Sequence, residues 1–478
     1  MVDPDSERDR RPPAFTRSLS GFGVIILTLS VLSPGVSVLV SGGSILAQAG
    51  TGVVLAFLLG SLVCYCQTSM IAELGAAYPT AGYDYAAIGH AIGDWAGATT
   101  YIASIATIPL FLNTSAVGIA LYLQPFGIPL GANAITFITV AIVTGLSLLN
   151  IRASEYITGI FMLIEGTALL LIAGLGAAHA QPGAAAAMLH PMRVENGAWV
   201  VAGIALTGIA VNNASWALAG ASQALMFSED MKRPRTIGRI IMLAFAITVV
   251  LETAPMMGVI AGSHDLRAVL GSDAPFETFL ADYLPSFGLK LVSLSIAIAI
   301  FNACLAGFIG IGRNVFSMGR TELFARPMNR ALMRLIPKTD APWVAICLIG
   351  ASTALATFIP LYFKILLLSG NYTMITIFYV WGVLAGRRAG RTGGAAYRTP
   401  AFPLIPLIGI VIVLGEVTVL WLDPDSGRIS LFICAGIYLL AYLYYRMILM
   451  SRPGGWRLRG PEDIDAATAA IEDDRAPA

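Results

Sequence analysis

Twelve stretches of about 20 consecutive apolar residues, the length a helix needs to cross the hydrocarbon of a bilayer, recur along this 478-residue chain. They lie near 21–46, 51–75, 91–123, 131–150, 154–176, 198–226, 237–261, 288–312, 341–359, 363–385, 403–422 and 429–449. Such repetition leaves few folds open. Only 12% of residues are charged and 57% are hydrophobic, about half the charge of a soluble chain, and mean hydropathy is +0.77. The bilayer is the solvent that such a composition requires. The spacing predicts an all-α membrane protein with twelve spanning helices, the third and sixth long enough to tilt or break.

An even number of spans puts both ends on one side, and basic residues select which. With the N-terminus cytoplasmic, 24 of the 29 Lys and Arg residues fall inside, leaving Arg193, Arg267, Lys290, Lys364 and Arg428 outside. The bias holds in every loop, which supports the twelve-span register. The polar start, MVDPDSERDRRPPAFTR, is followed by an apolar run too long for a signal peptide. The tail PEDIDAATAAIEDDRAPA is expected to be disordered or a short surface helix. This divides the chain into an N-terminal cytoplasmic tail (1–19), a core of helices one to ten (20–385), helices eleven and twelve (386–450) and a C-terminal cytoplasmic tail (451–478).

Two spans carry residues that interrupt a helix. The first contains Ser33-Pro34-Gly35-Val36-Ser37 and then Ser41-Gly42-Gly43. Proline removes a backbone donor and glycine loosens the backbone beside it. The sixth contains Asn212-Asn213 and then Trp216 to Ser222, small and polar residues in mid-span. Singly, the first reads equally well as a plain proline kink, and the second has close packing as its plain alternative. Together they open the two halves of a five-plus-five arrangement, and paired interruptions mark the central site of a transporter. Amides bared at such a break suit a carboxylate.

Three stretches carry a resemblance. After the second span, IAELGAAYPTAGYDYAAIGHAIG (71–93) is similar to an E-L-x-x-x-Y-P-x-x-G signature. After the sixth comes GASQALMFSEDMKRPRTIGRII (220–241), and after the eighth IGRNVFSMGRTELFARPM (311–328) with KTDAPWVA (338–345). In order and spacing these resemble the amino acid–polyamine–organocation superfamily of permeases, over most of the membrane region. The resemblance implies the LeuT-type fold: a five-plus-five inverted repeat with discontinuous helices one and six.

Carried over residue by residue, the resemblance implies a substrate site at the breaks. Ser33, Gly35, Val36 and Ser37 belong to the unwound first helix, whose amides would hold a substrate carboxylate. Ala217, Ala219, Gly220 and Ser222 belong to the unwound sixth, Trp216 stands where an aromatic gate is placed, and Ser104 is a candidate for the pocket wall. The chain departs from the family pattern at Val36, within G-V-S, at Ser222, where relatives carry an acid, and at Arg320-Thr321-Glu322, which replaces R-D.

Carboxylates in mid-membrane are costly and read as functional by default. Glu165, Glu252 and Glu416 qualify. Glu165 lies near the region where proton-coupled relatives carry an ionisable group; an interhelical hydrogen bond is the plain alternative. The stretch 301–312 has no Ser or Thr, so the hydroxyl ligands for sodium are missing, and proton coupling or exchange is expected. In 228–239 the acids do not serve basic anchoring, and Glu229 is expected to pair with Arg313 as a cytoplasmic gate.

The four histidines and five cysteines show no ligand or catalytic spacing. No enzyme, cofactor, metal or nucleic-acid partner is expected; the partners are a small-molecule substrate, amino acid or amine, and the lipid bilayer. A homo-oligomer is compatible with the sequence. The expectation is a secondary active transporter, with a channel or a non-transporting sensor on the same fold as the alternative.

Overall fold

The structure, a computed structural model, describes residues 15–460 apart from 124–125, 127–128, 150, 196, 273, 285 and 425–426. The expectations for 1–14 and 461–478 fall outside the described residues. Fourteen helices are used below. They are α1 (Gly21–Leu32), α2 (Gly42–Ala49), α3 (Val53–Ala77), α4 (Tyr83–Ile92), α5 (Asp94–Leu123), α6 (Ala132–Leu146) and α7 (Ile151–Ala178). They continue with α8 (Ile204–Ala217), α9 (Ile237–Gly262), α10 (Ser286–Arg320), α11 (Trp343–Leu355), α12 (Leu361–Arg388), α13 (Leu404–Leu422) and α14 (Gly427–Tyr444). Among the described residues, 9 helical stretches are long and apolar enough to cross a membrane, and two shorter apolar helices, Ala132–Leu146 and Trp343–Phe358, join them.

The first and sixth expected spans are the ones that break. α1 stops at Ser33, and the chain continues through a single turn, Pro34–Val36, a wide π-turn, Ser37–Ser41, and then α2. The sixth differs from expectation at its start. Ala198–Val201 is a β-strand paired antiparallel with Met192–Glu195, and the helix begins only at Ile204. Bulky Trp199, Val200 and Val201 favour the extended form. The hairpin is clamped onto the α2–α3 junction, where the Thr51 hydroxyl accepts from the Met192 amide at 3.0 Å and donates to the His190 carbonyl at 2.9 Å. Gly50 there has φ +56° and lies against the Met192 carbonyl, a place with no room for a side chain. The third span is a continuous 30-residue helix with Pro109 inside it.

α10 is the central column, packed against α1, α5 and α7. α13 and α14 sit at the periphery and expose Val411, Leu414, Val419, Leu422, Phe432, Leu439 and Leu440. Apolar faces turned outward like these belong in lipid. α7 and α9 cross where Gly176, Gly258 and Gly262 meet, bringing backbone onto backbone. Small residues permit such close approach between membrane helices.

Candidate functional site

The interruption in the first span begins at Ser33, whose φ of +49° lies in the left-handed region, immediately before Pro34. A non-glycine residue there needs its surroundings to hold it. They do so through Glu165 of α7. The Ser33 hydroxyl donates to Glu165 Oε1 at 3.0 Å, and the Gly35 amide donates to the same oxygen at 2.5 Å. The bared amide expected to meet a substrate carboxylate is therefore occupied by a carboxylate of the protein. A Cβ added to Gly35 would stand 2.7 Å from Glu165 Cγ. Glu165 is 2% exposed, and its Oε2 has no partner among the described residues.

The second interruption follows α8. Gly220 takes φ +128°, and a 3₁₀ stretch, Ala221–Asp230, follows. Ala219 closes the helix end, its amide donating to Trp216 carbonyl at 3.1 Å. The two breaks touch: the Ser37 hydroxyl donates to the Ala217 carbonyl at 3.0 Å, and Gly220 faces the Leu32 side chain. The structure thus brings Ser33, Gly35, Ser37, Ala217, Gly220 and Glu165 into one neighbourhood. Val36 is half-buried in the same turn. Trp216, at 55% exposed, looks away from the buried Ala214–Ala217 face. Ser104 is buried, but its hydroxyl donates to the Tyr101 carbonyl of its own helix at 2.6 Å.

Ser222 belongs to a second cluster. Its hydroxyl shares a 2.8 Å hydrogen bond with the Tyr83 hydroxyl. Beside Tyr83, Asp84 accepts from the Tyr379 hydroxyl of α12, and its other oxygen has no partner among the described residues. Burial pushes the Asp84 carboxyl up to about 7 from 3.8, with the Tyr379 hydroxyl opposing. A carboxyl whose folded pKa is raised favours the fold when protonated. Its contribution is whole below about 3.8 and is lost as pH rises through about 7. Purified protein is therefore expected to melt at a higher temperature at pH 5.5 than at pH 8, and Asp84→Asn to flatten that slope. An unchanged slope in the variant would remove Asp84 from the account.

The end of the bundle where both described termini lie is held by buried ions, though not by the expected pair. Glu229 meets Arg320, at 2.5 and 2.8 Å, and also accepts from the Ala81 amide at 2.7 Å. Arg313 pairs instead with Asp230, at 2.6 Å. The expected Glu229–Arg313 contact is corrected by geometry. Adjacent acids on a 3₁₀ stretch point in different directions, whereas Arg313 and Arg320 are about two turns apart on one face of α10. Each acid takes its own arginine. All four side chains are at most 4% exposed. The 15–20 segment lies over them. Phe15 packs on Phe316 and under the Arg313 guanidinium, and Leu19 is hydrogen-bonded on both sides, to Asp230 and Lys232.

Sequence reasoning missed Arg320, Asp230, Asn302 and the Glu73–Arg387 pair. Glu73, the acid of the first signature, is wholly buried and accepts twice from Arg387, at 2.8 and 2.7 Å, and from the Thr399 amide at 2.8 Å. The signature supplied its type but not its partner, 314 residues away.

Against known proteins, the profile of the amino acid permease family matches residues 19–442. An uncharacterized transporter of Mycobacterium tuberculosis is 26% identical over 309 residues, 64% of this chain and 66% of the relative, so the match spans just under two thirds of that relative's length. The branched-chain amino acid permease BcaP of Lactococcus lactis is 24% identical over 86% of this chain and 92% of its own. The amino-acid permease RocC of Bacillus subtilis is 21% identical over 87% and 92%. With the apolar helices, these likenesses make the chain a multi-pass membrane protein similar to transporters. It belongs to the amino acid permease family, within the amino acid–polyamine–organocation superfamily.

Proposed function

We propose that the protein is a secondary active transporter that carries an amino acid or a related amine by alternating access, with proton coupling or exchange. The observation that carries this reading is the junction of the two breaks. Ser37 bonds Ala217 across them, and Glu165 holds the Gly35 amide. Two interrupted helices meeting in this way leave polar backbone where a passing solute can use it. The relatives named as amino acid permeases support the substrate class.

In this reading twelve spans form a LeuT-type inverted repeat across 20–385, with helices eleven and twelve beside it and both termini cytoplasmic. The positions of Lys and Arg favour that orientation. The buried Glu229–Arg320 and Asp230–Arg313 pairs then close the cytoplasmic side. Protonation of Glu165 would weaken it as an acceptor for Ser33 and Gly35 and free the break to rearrange.

Reconstituted vesicles test this. Wild-type protein is expected to exchange labelled for unlabelled solute from a panel of amino acids and amines. Glu165→Gln is expected to keep exchange and to lose accumulation driven by a proton gradient, by about tenfold or more. Absence of counterflow with every solute would defeat the carrier reading. Wild-type accumulation in the variant would leave Glu165 a purely structural hydrogen-bond acceptor.

A further inference from the structure

The start of α1 is wedged between two other helices, and its outer side is bare. A Cβ added to Gly21 would stand 3.1 Å from Ile240 Cδ1 of α9, and one added to Gly23 would overlap the Glu155 carboxyl of α7. Positions 21 and 23 therefore face the two neighbours. Phe22, about 100° of helical turn from each, points out between them. It is 70% exposed. One turn further along, a Cβ at Gly159 of α7 would stand 3.6 Å from the Ile26 side chain, so α7 continues to follow α1.

The flanking helices carry apolar stripes that end in cations beside this gap. On α9, Leu243, Ala246, Val250 and Met257 are exposed at spacings of three, four and seven residues, which is one side of a helix. One turn back along that side lies Arg239, and four residues earlier Arg235, both exposed. On α7 the exposed side runs from Leu163 through Ile160 and Tyr156 to Arg152. Tyr156 is 74% exposed. Lys232 and Arg233 are exposed as well, and the Lys232 amide donates to the Leu19 carbonyl at 3.1 Å, three residues before Phe22. The acids that precede them, Glu229 and Asp230, are turned inward onto Arg320 and Arg313. Among the described residues, Lys232, Arg233, Arg235 and Arg239 form no ion pair with an acid. Glu155 lies one turn from Arg152 on α7 and offsets that cation rather than the other four.

We propose that an anionic phospholipid of the cytoplasmic leaflet occupies this gap, its phosphate among Lys232, Arg233, Arg235 and Arg239 and its acyl chains along Phe22 and the two stripes. This goes beyond the carrier reading and takes from it only the orientation, with both termini cytoplasmic. Anchoring of spans by basic residues asks only for positive charge near helix ends. Here an exposed aromatic ring and two apolar stripes meet four unpaired cations at one place. A headgroup with attached chains fills such a gap, because charge and apolar area are then satisfied together. A soluble anion leaves Phe22 and the stripes unused. The attraction of a basic residue for a negative leaflet falls off within a Debye length, so residues at the headgroup level contribute most. The gap is bounded by the first of the two interrupted spans. A lipid seated there braces the start of α1 against α7 and α9.

Thermal melting of the purified full-length chain in detergent tests this, with dioleoylphosphatidylglycerol, dioleoylphosphatidylcholine and inorganic phosphate as probes. Phosphatidylglycerol is expected to raise the melting temperature saturably, and the other two to leave it nearly unchanged. Raising salt from about 0.1 to about 0.5 M is expected to weaken that half-saturation by about threefold or more. Lys232→Gln/Arg233→Gln/Arg235→Gln/Arg239→Gln is expected to weaken it by about tenfold or more. Arg326→Gln/Arg330→Gln/Arg334→Gln, which removes exposed cations beyond the end of α10, is expected to leave it within about twofold. Phe22→Ala is expected to weaken it by about threefold or more through lost apolar contact. If the quadruple variant yields no folded protein, Arg239→Gln and Phe22→Ala carry the comparison. Equal stabilisation by the two lipids, or by phosphate alone, would overturn the inference. So would equal losses in the two charge variants, which would leave only the general charge of this side. Counterflow in phosphatidylcholine vesicles is read separately, and its outcome decides the carrier reading whichever way the lipid test falls.

Discussion

Glu229→Ala is expected to destabilise the protein by about 3–5 kcal/mol, the usual consequence of stripping one partner from a buried ion pair. Arg320 is 2% exposed and directs Nη1 and Nη2 at Glu229, while its Nε has no partner among the described residues. Without Glu229 a full positive charge stays in low dielectric beside the Phe316 ring and Tyr101, with no carboxylate to pair with. The Ala81 amide also loses its acceptor, which loosens the first signature loop from the second. The double variant Glu229→Gln/Arg320→Gln removes both charges and is expected to melt above Glu229→Ala, because no charge remains to be desolvated. Thermal melting in detergent ranks the three proteins, and vesicle uptake shows whether closing this end matters for transport. A Glu229→Ala protein with wild-type melting and uptake would show that neither stability nor gating uses this pair.

The second large effect lies at the α7–α9 crossing. Gly258→Val is expected to destabilise by about 3 kcal/mol or more, beyond ordinary overpacking. A Cβ at 258 would stand 2.7 Å from the Ile172 carbonyl oxygen and 2.9 Å from Ala173 Cα, and one at 176 would overlap the Gly258 carbonyl. These obstacles are backbone, so relief requires the helices to part, and with them Glu165 and Glu252, which the same two helices carry. Gly174→Ala, two residues from Gly176, is the contrast. Nothing lies within 4 Å of its added Cβ; it is expected to be neutral or to stabilise by about 0.5–1 kcal/mol through helix propensity alone. Equal melting temperatures for the two variants would mean that the crossing is not a tight contact.

Some of this molecule was legible one segment at a time. Apolar runs of spanning length are a local property, so helix positions came out within a few residues for most spans, as at 237–261 against Ile237–Gly262. Ser33-Pro34-Gly35 and Ala219-Gly220 announced their breaks because proline and glycine act on their own backbone. The 198–201 strand was misread because an apolar run looks the same in either conformation, and only its pairing with 192–195 decides.

Taken alone, the sequence determined that the chain lives in a bilayer, which two spans are interrupted, and which acids are buried at a cost. Tertiary structure alone decided the partners: Arg320 rather than Arg313 for Glu229, Glu165 on the Gly35 amide, Asn302 beside it, and Glu252 left facing Ser37. The reason is physical. Composition and backbone chemistry act within a few residues, whereas a charge in low dielectric is satisfied by whatever the packing brings within about 3 Å, from any distance along the chain.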